Sequence, residues 1–140
     1  MRSDDLGKWQ VFGYQAEVAS QDKMGLWHHS LLAKDHPRKK VRHLMATAGQ
    51  VVTLGPDGSK TVKEGWEPKK VQSHLKEHEW NTMEIIAKGP KVAHKVNGVM
   101  FAAVIDHDKE MSRKKGFIAL QDHGKGCTVA FRKIRLKKLP

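Results

Sequence analysis

Cysteine occurs once in the 140 residues, as Cys127. That excludes an internal disulfide and a zinc site built on several thiolates. No apolar run approaches the ~20 residues a membrane-spanning helix needs. The first ten residues, MRSDDLGKWQ, have no apolar core of the kind a secretion signal carries, so no signal peptide is expected in them. Aromatic residues are scarce, with one tyrosine and four phenylalanines. They are not interleaved with lysines as a base-stacking surface would require. Acidic residues are outnumbered 15 to 26 by basic ones, for a formal charge of +11. Such a charge invites a nucleic-acid reading. The basic residues, however, gather in KDHPRKKVRH (34–43), KEMSRKK (109–115) and FRKIRLKK (131–138), which read more simply as solvated loops and strand faces. Nucleic acid is the least favoured partner, and one thiol leaves the compartment open.

What is present is a globular composition, 39% hydrophobic and 29% charged, of a length that suits one domain over residues 1–140. The dominant period is two. Tyr14, Ala16 and Val18 alternate with Gln15 and Glu17 in WQVFGYQAEVA (9–19). GQVVTL and SKTVKE flank Gly55-Pro56-Asp57-Gly58, which predicts a hairpin. WNTMEIIAK (80–88) reads as a strand that stops at Gly89-Pro90. KVAHKV and VMFAAVID flank Asn97-Gly98, the strongest short hairpin signal, because a type I′ turn needs positive φ at both central residues. GFIALQ and CTVAFRKIRL read as two further strands, the second with a bulge near Arg132-Lys133 to restore its register. Helix signals are few: KEMSRKK suggests a turn and PKKVQSHLKEHEW (68–80) is ambiguous. These features predict an all-β chain, an antiparallel sandwich or barrel, with YQAEV and FIALQ on one concave sheet.

One stretch does not read as core alone. In GFIALQDHGKGCTVAFRKIRL (116–136) an apolar run delivers the chain into Gln121-Asp122-His123, and a glycine-broken turn sends it back. A strand that only fills a core needs no such polar triplet at its end. The triplet is either a solvated turn, with Asp122 bonding backbone amides, or part of a site.

A family resemblance bears on that choice. Glu79-Trp80-Asn81, His94 with Asn97-Gly98-Val99, Ile118 to Gly124, and Phe131 to Leu136 fall in the order of motifs in the 3-keto-disaccharide hydrolase domains. GYQAEV (13–18) is similar to that family's inner strand. The family resembles family 16 glycoside hydrolases and concanavalin-like lectins, so the resemblance implies a concanavalin-like jelly-roll β-sandwich. Family domains have strands ahead of an Arg-Ser pair that here is Arg2-Ser3. The chain is therefore expected to be an incomplete, N-terminally truncated domain, self-associating through an exposed strand edge. Members are usually secreted or periplasmic. GLWHHSLLAKDHPRKK (25–40) departs from the family, with paired histidines and lysines where a glycine-rich segment is usual.

The implied chemistry defines what a site must contain. A 3-keto sugar has an acidified proton on carbon 2, and the glycosidic oxygen on carbon 1 lies beta to the resulting enolate. Cleavage then needs a base, a proton donor for the leaving oxygen, and donors for the enolate. Gln15 and Glu17, two apart, project from one strand face. With Gln121-Asp122-His123 beside them, a carboxylate, amides and an imidazole converge on a saccharide ligand. Glu17 and His123 are the catalytic candidates, either of them the base. Gln15, Tyr14, Gln121, Asp122 and Trp27 are the substrate-binding candidates. No cofactor and no metal is expected.

Structural readings stand beside these. His94 suits cross-strand packing. His74 and His78 have an i, i+4 spacing but lack a third ligand. Trp80 and Trp9 read as core anchors, and Trp27 and Trp66, in polar loops, as sugar platforms. A non-catalytic carbohydrate-binding module would keep the amide and aromatic contacts without a base.

Overall fold

The computed structural model describes residues 2–19, 23–29, 38–121, 126 and 128–140. The chain starts with β1 (Ser3–Gly7), β2 (Gln10–Ala16) and β3 (Leu26–His29), then α1 (Lys39–His43) and β4 (Leu44–Ala46). Next come β5 (Gln50–Leu54), β6 (Lys60–Glu64), α2 (Pro68–Gln72), β7 (Met83–Lys88), β8 (Lys91–Val96) and β9 (Val99–Asp106). They form two sheets, ordered β1-β2-β3-β4 and β6-β5-β9-β8-β7. One apolar cluster joins the sheets: Tyr14, Leu26, Met45 and Ala46 from the first meet Val52, Leu54, Val92, Phe101 and Val104 from the second. The all-β sandwich is thus the observed fold, with one departure from the antiparallel expectation. β5 and β9 pair in parallel, Val52 opposite Val104. A parallel pair needs a long crossover, and here β6, α2, β7 and β8 lie within it.

The turn chemistry is realised. Asn97 and Gly98 have φ of 49° and 83°, and join β8 to β9. The Gly55 N–H donates to Ser59 O at 2.8 Å, closing the β5–β6 hairpin. β7 ends at Lys88, and Gly89-Pro90 turns the chain into β8. Asn97 does more than turn the chain. Its amide nitrogen donates to Asn81 Oδ1 and to His74 O at 2.8 and 2.7 Å, and its Oδ1 accepts from Thr82 N at 2.8 Å. Two family motifs are therefore bolted together as structure. His94 packs as expected: it is fully buried, against the Phe101 ring. His74 and His78 do not share a helix, because α2 ends at Gln72 and His78 has φ of 59°.

The C-terminal strands differ from expectation. Residues 117–121 and 128–140 belong to neither sheet, and FIALQ touches the first sheet's backbone only through an isolated antiparallel bridge between Phe117 and Ser3. The Phe117 N–H donates to Ser3 O at 2.8 Å, and Ser3 N–H donates back at 3.2 Å. Phe117, Ile118 and Leu120 are exposed, as are Ile134 and Leu136 farther on. In place of the bulge expected at Arg132-Lys133, Lys133 has φ of 53° in a chain that makes no ladder.

The basic run at 34–43 is not simply solvated, since among its described residues Arg42 is 1% exposed. Its guanidinium bonds Asp106 at 2.7 Å and faces Asp108 at 3.5 Å. Arg38, one turn earlier, bonds Asp108 at 3.1 Å. Tyr14 donates its hydroxyl to Asp106 at 2.5 Å. Burial alone would raise the Asp106 pKa, but the hydrogen bonds from Arg42 and Tyr14 and the Arg42 charge outweigh it and hold the carboxyl below its usual range. For Tyr14, burial first and then the Asp106 bond push the phenol up to about 12. This network ties α1 and β2 to the end of β9.

Candidate functional site

β2 supplies the floor of the site. Its alternation sends Tyr14 inward and Val11, Gly13 and Gln15 to the opposite face, with Glu17 continuing that face beyond the strand end. Antiparallel register adds neighbours on the same side: Ser3 opposite Gly13, Asp5 opposite Val11, and Trp27 opposite Gln15. Gly13 is the close-approach point, because a Cβ there would stand 2.6 Å from Arg2 O and 2.7 Å from Ser3 Cα. The C-terminal segment lies over this face, and Val129 and Phe131 with Met83 and Ile85 of β7 form a wall. Arg132 stacks its guanidinium 3.9 Å from the Trp80 ring centroid, fastening that wall to the chain just before β7. The result is a groove of about 840 Å³ along β2.

Polar groups converge at one end. Gln15 Nε2 donates to Glu17 Oε2 at 2.5 Å and to Gln121 Oε1 at 2.7 Å. An amide has two N–H donors and one carbonyl acceptor. With both Gln15 donors engaged, its Oε1 and the Nε2 of Gln121 are the groups able to meet a bound hydroxyl or carbonyl. The structure therefore brings Glu17, Gln15 and Gln121 together, with Trp27 beside Gln15 by register.

Other expected residues sit elsewhere. Tyr14 borders the groove, but its ring is buried and its hydroxyl is committed to Asp106. Asp122 and His123 lie outside the described residues. Trp27 is half-buried, donates Nε1–H to Lys23 O at 3.3 Å and meets the His43 ring edge-on. Trp80 and Trp9 are not core anchors: Trp80 is 51% exposed under Arg132, and Trp9 is fully exposed at the tip of the β1–β2 hairpin. Trp66 lies beyond β6, 39% exposed, and is not among the groove residues. Among the described residues no group of three His, Cys, Asp or Glu side chains is placed to hold a metal ion. No helix among them is long and apolar enough to cross a membrane.

Two features escaped sequence reasoning. The Arg38–Arg42–Asp106–Asp108 network was signalled by an i, i+4 arginine pair and by two acids at a strand end, but nothing local pairs them. The placement of Asp5 and Trp9 on the groove followed only from the hairpin's register.

The geometry defines a class: an all-β, two-sheet domain with an amide-and-carboxylate groove running along one sheet. The chain belongs to the 3-keto-alpha-glucoside-1,2-lyase-like domain family, which it matches over residues 1–137. Its function is accordingly carbohydrate-related and glycosidase-like. No curated protein and no solved structure matches it.

Proposed function

We propose that the groove binds a 3-keto-glycoside and cleaves its glycosidic bond by elimination, with Glu17 as the base. One observation carries the reading: the Glu17 carboxylate is held by the Gln15 amide, which also binds Gln121, on the open face of β2. A second carboxylate placed for ordinary glycoside hydrolysis is missing among the described groove residues. Asp5 sits opposite Val11, six residues before Glu17, about 20 Å along the strand. Ordinary hydrolysis needs its two carboxyl groups ~5–9.5 Å apart. Elimination needs one base. Glu17 takes the proton from carbon 2, and the electron pair moves onto the keto oxygen as an enolate. Collapse of the enolate restores the keto group, makes a double bond between carbons 1 and 2, and breaks the bond from carbon 1 to the glycosidic oxygen, which leaves with the electron pair. His123, two residues after Gln121 in the sequence, protonates that oxygen, while Gln15 and Gln121 hold hydroxyl and carbonyl oxygens, and Asp122 and Trp27 are the further substrate-binding candidates. Addition of water to the unsaturated product gives net hydrolysis.

The test is cleavage of a 3-keto-α-glucoside alongside its unoxidised parent, followed by enone absorbance and aglycone release. Glu17→Gln and His123→Ala should each abolish cleavage of the keto substrate with little change in thermal stability. Equal cleavage of the unoxidised glycoside would overturn the elimination reading. Saccharide binding without turnover would leave a carbohydrate-binding module. We propose further that residues 1–140 act as a single domain whose exposed apolar rim pairs with a second copy.

A further inference from the structure

We propose that Trp9 is a stacking platform for a distal sugar ring, so that the groove accepts keto-glycosides whose saccharide leaving group extends along β2 beyond the length of a disaccharide. The inference rests on the Glu17 site proposed above. Three independent observations lead to it. Trp9 has 104% relative exposure yet borders the same groove as Gln15 and Glu17. It sits six residues before Gln15, about 20 Å along the strand, a span that a disaccharide anchored at Glu17 does not bridge. And its backbone is strained: Lys8 and Trp9, the two loop residues between Gly7 and Gln10, have φ of 51° and 63°. Such a turn favours Asn-Gly, and a bulky side chain in the left-handed region is costly. A fully exposed indole makes no packing contact that would offset the strain, so a ligand contact is what the position serves.

The surroundings fit a pyranose. Asp5 and Gln10 line the groove beside Trp9. A carboxylate and an amide lining the same groove as an apolar ring are the combination that an oligosaccharide's hydroxyls and C–H face match. Asp5 Oδ1 accepts from Gly7 N at 2.8 Å, which fixes the carboxylate at the foot of the turn.

The experiment uses the full chain, its Trp9→Gly and Glu17→Gln variants, and two probes: maltose and maltopentaose, each oxidised at carbon 3 of the non-reducing glucose. Trp9→Gly should weaken binding of the keto-pentasaccharide about tenfold, the order of one aromatic contact. Binding and cleavage of the keto-disaccharide should not change. The same substitution should raise the melting temperature, because glycine relieves the left-handed strain. A structural role for Trp9 would lower it. The proposal is overturned if both probes weaken equally, if neither does, or if the melting temperature falls. Glutamate-dependent cleavage of the keto-disaccharide with no effect at Trp9 would sink the platform alone. Absence of binding and cleavage with either probe would sink the Glu17 site as well.

Discussion

At the scale of single residues, burial decides what a side chain can do. His94 is fully enclosed between β7 and β9, opposite Ile85 and Ala102, and among the described residues neither ring nitrogen has a hydrogen-bond partner. Burial therefore lowers its pKa from 6.5 to about 4. Unfolded His94 binds a proton below about pH 6.5, while the folded residue refuses it until about pH 4. Stability from the neutral ring is complete above pH 6.5 and is lost as the pH falls toward 4, by roughly 3 kcal/mol. Urea unfolding of the wild type from pH 7 to pH 4 should show that loss, and His94→Leu should flatten it. An equal slope in both proteins would assign the acid sensitivity to other groups. Glu17 contrasts with His94, because the end of β2 holds it at the rim of an open groove, where a carboxylate can meet substrate.

At the scale of elements, the Asn97-Gly98 turn carries two separable roles. Asn97 accepts a left-handed backbone that Ala would resist, and its side chain spans Thr82, Asn81 and His74. Asn97→Gly keeps the turn and removes the side-chain bonds, whereas Asn97→Ala loses both. The expected order of stability is wild type, then Asn97→Gly lower by about 1–2 kcal/mol, then Asn97→Ala lower again by about 1 kcal/mol. Thermal melts of the three proteins check it, and Asn97→Ala equal to Asn97→Gly would refute the backbone contribution. The C-terminal segment shows the opposite case. CTVAFRKIRL has a strand-like composition, yet a strand exists only where another offers its amides and carbonyls. A bridge to Ser3, the Gln15–Gln121 hydrogen bond and a cation–π contact at Trp80 are among the contacts that attach the described part of this segment to the groove.

At the scale of the whole molecule, the C-terminal segment leaves several large apolar side chains exposed. Phe117, Ile118, Leu120, Ile134 and Leu136 each show at least 56% of their surface. An open edge and an uncovered apolar face both favour a second copy. The formal charge of +11 opposes it, but physiological salt screens that repulsion over ~8 Å, and edge pairing acts at shorter range. Light scattering should show dimers or larger species that increase with salt. A cooperatively unfolding monomer at every ionic strength would overturn this.

What the sequence determined by itself is what neighbours in the chain decide. The period-two runs, the Gly55–Gly58 and Asn97-Gly98 turns and the shared face of Gln15 and Glu17 were all legible, because turn geometry and strand alternation act over a few residues. The family motifs placed the rest of the chain in order. Contacts between distant segments were settled only by the tertiary structure. The parallel pairing of β5 with β9 depends on a crossover of more than forty residues, from Leu54 to Val99. Arg42 reads as a solvated cation until Asp106 at the end of β9 and Asp108 just beyond it arrive to neutralise it. Trp9 reads as a core anchor until the hairpin register turns it out to solvent at the mouth of the groove. Gln121 meets Gln15 because residues 118–121 join neither sheet among the described residues and lie across β2 instead. Burial and pairing are properties of which segments meet, and local sequence does not encode the meeting.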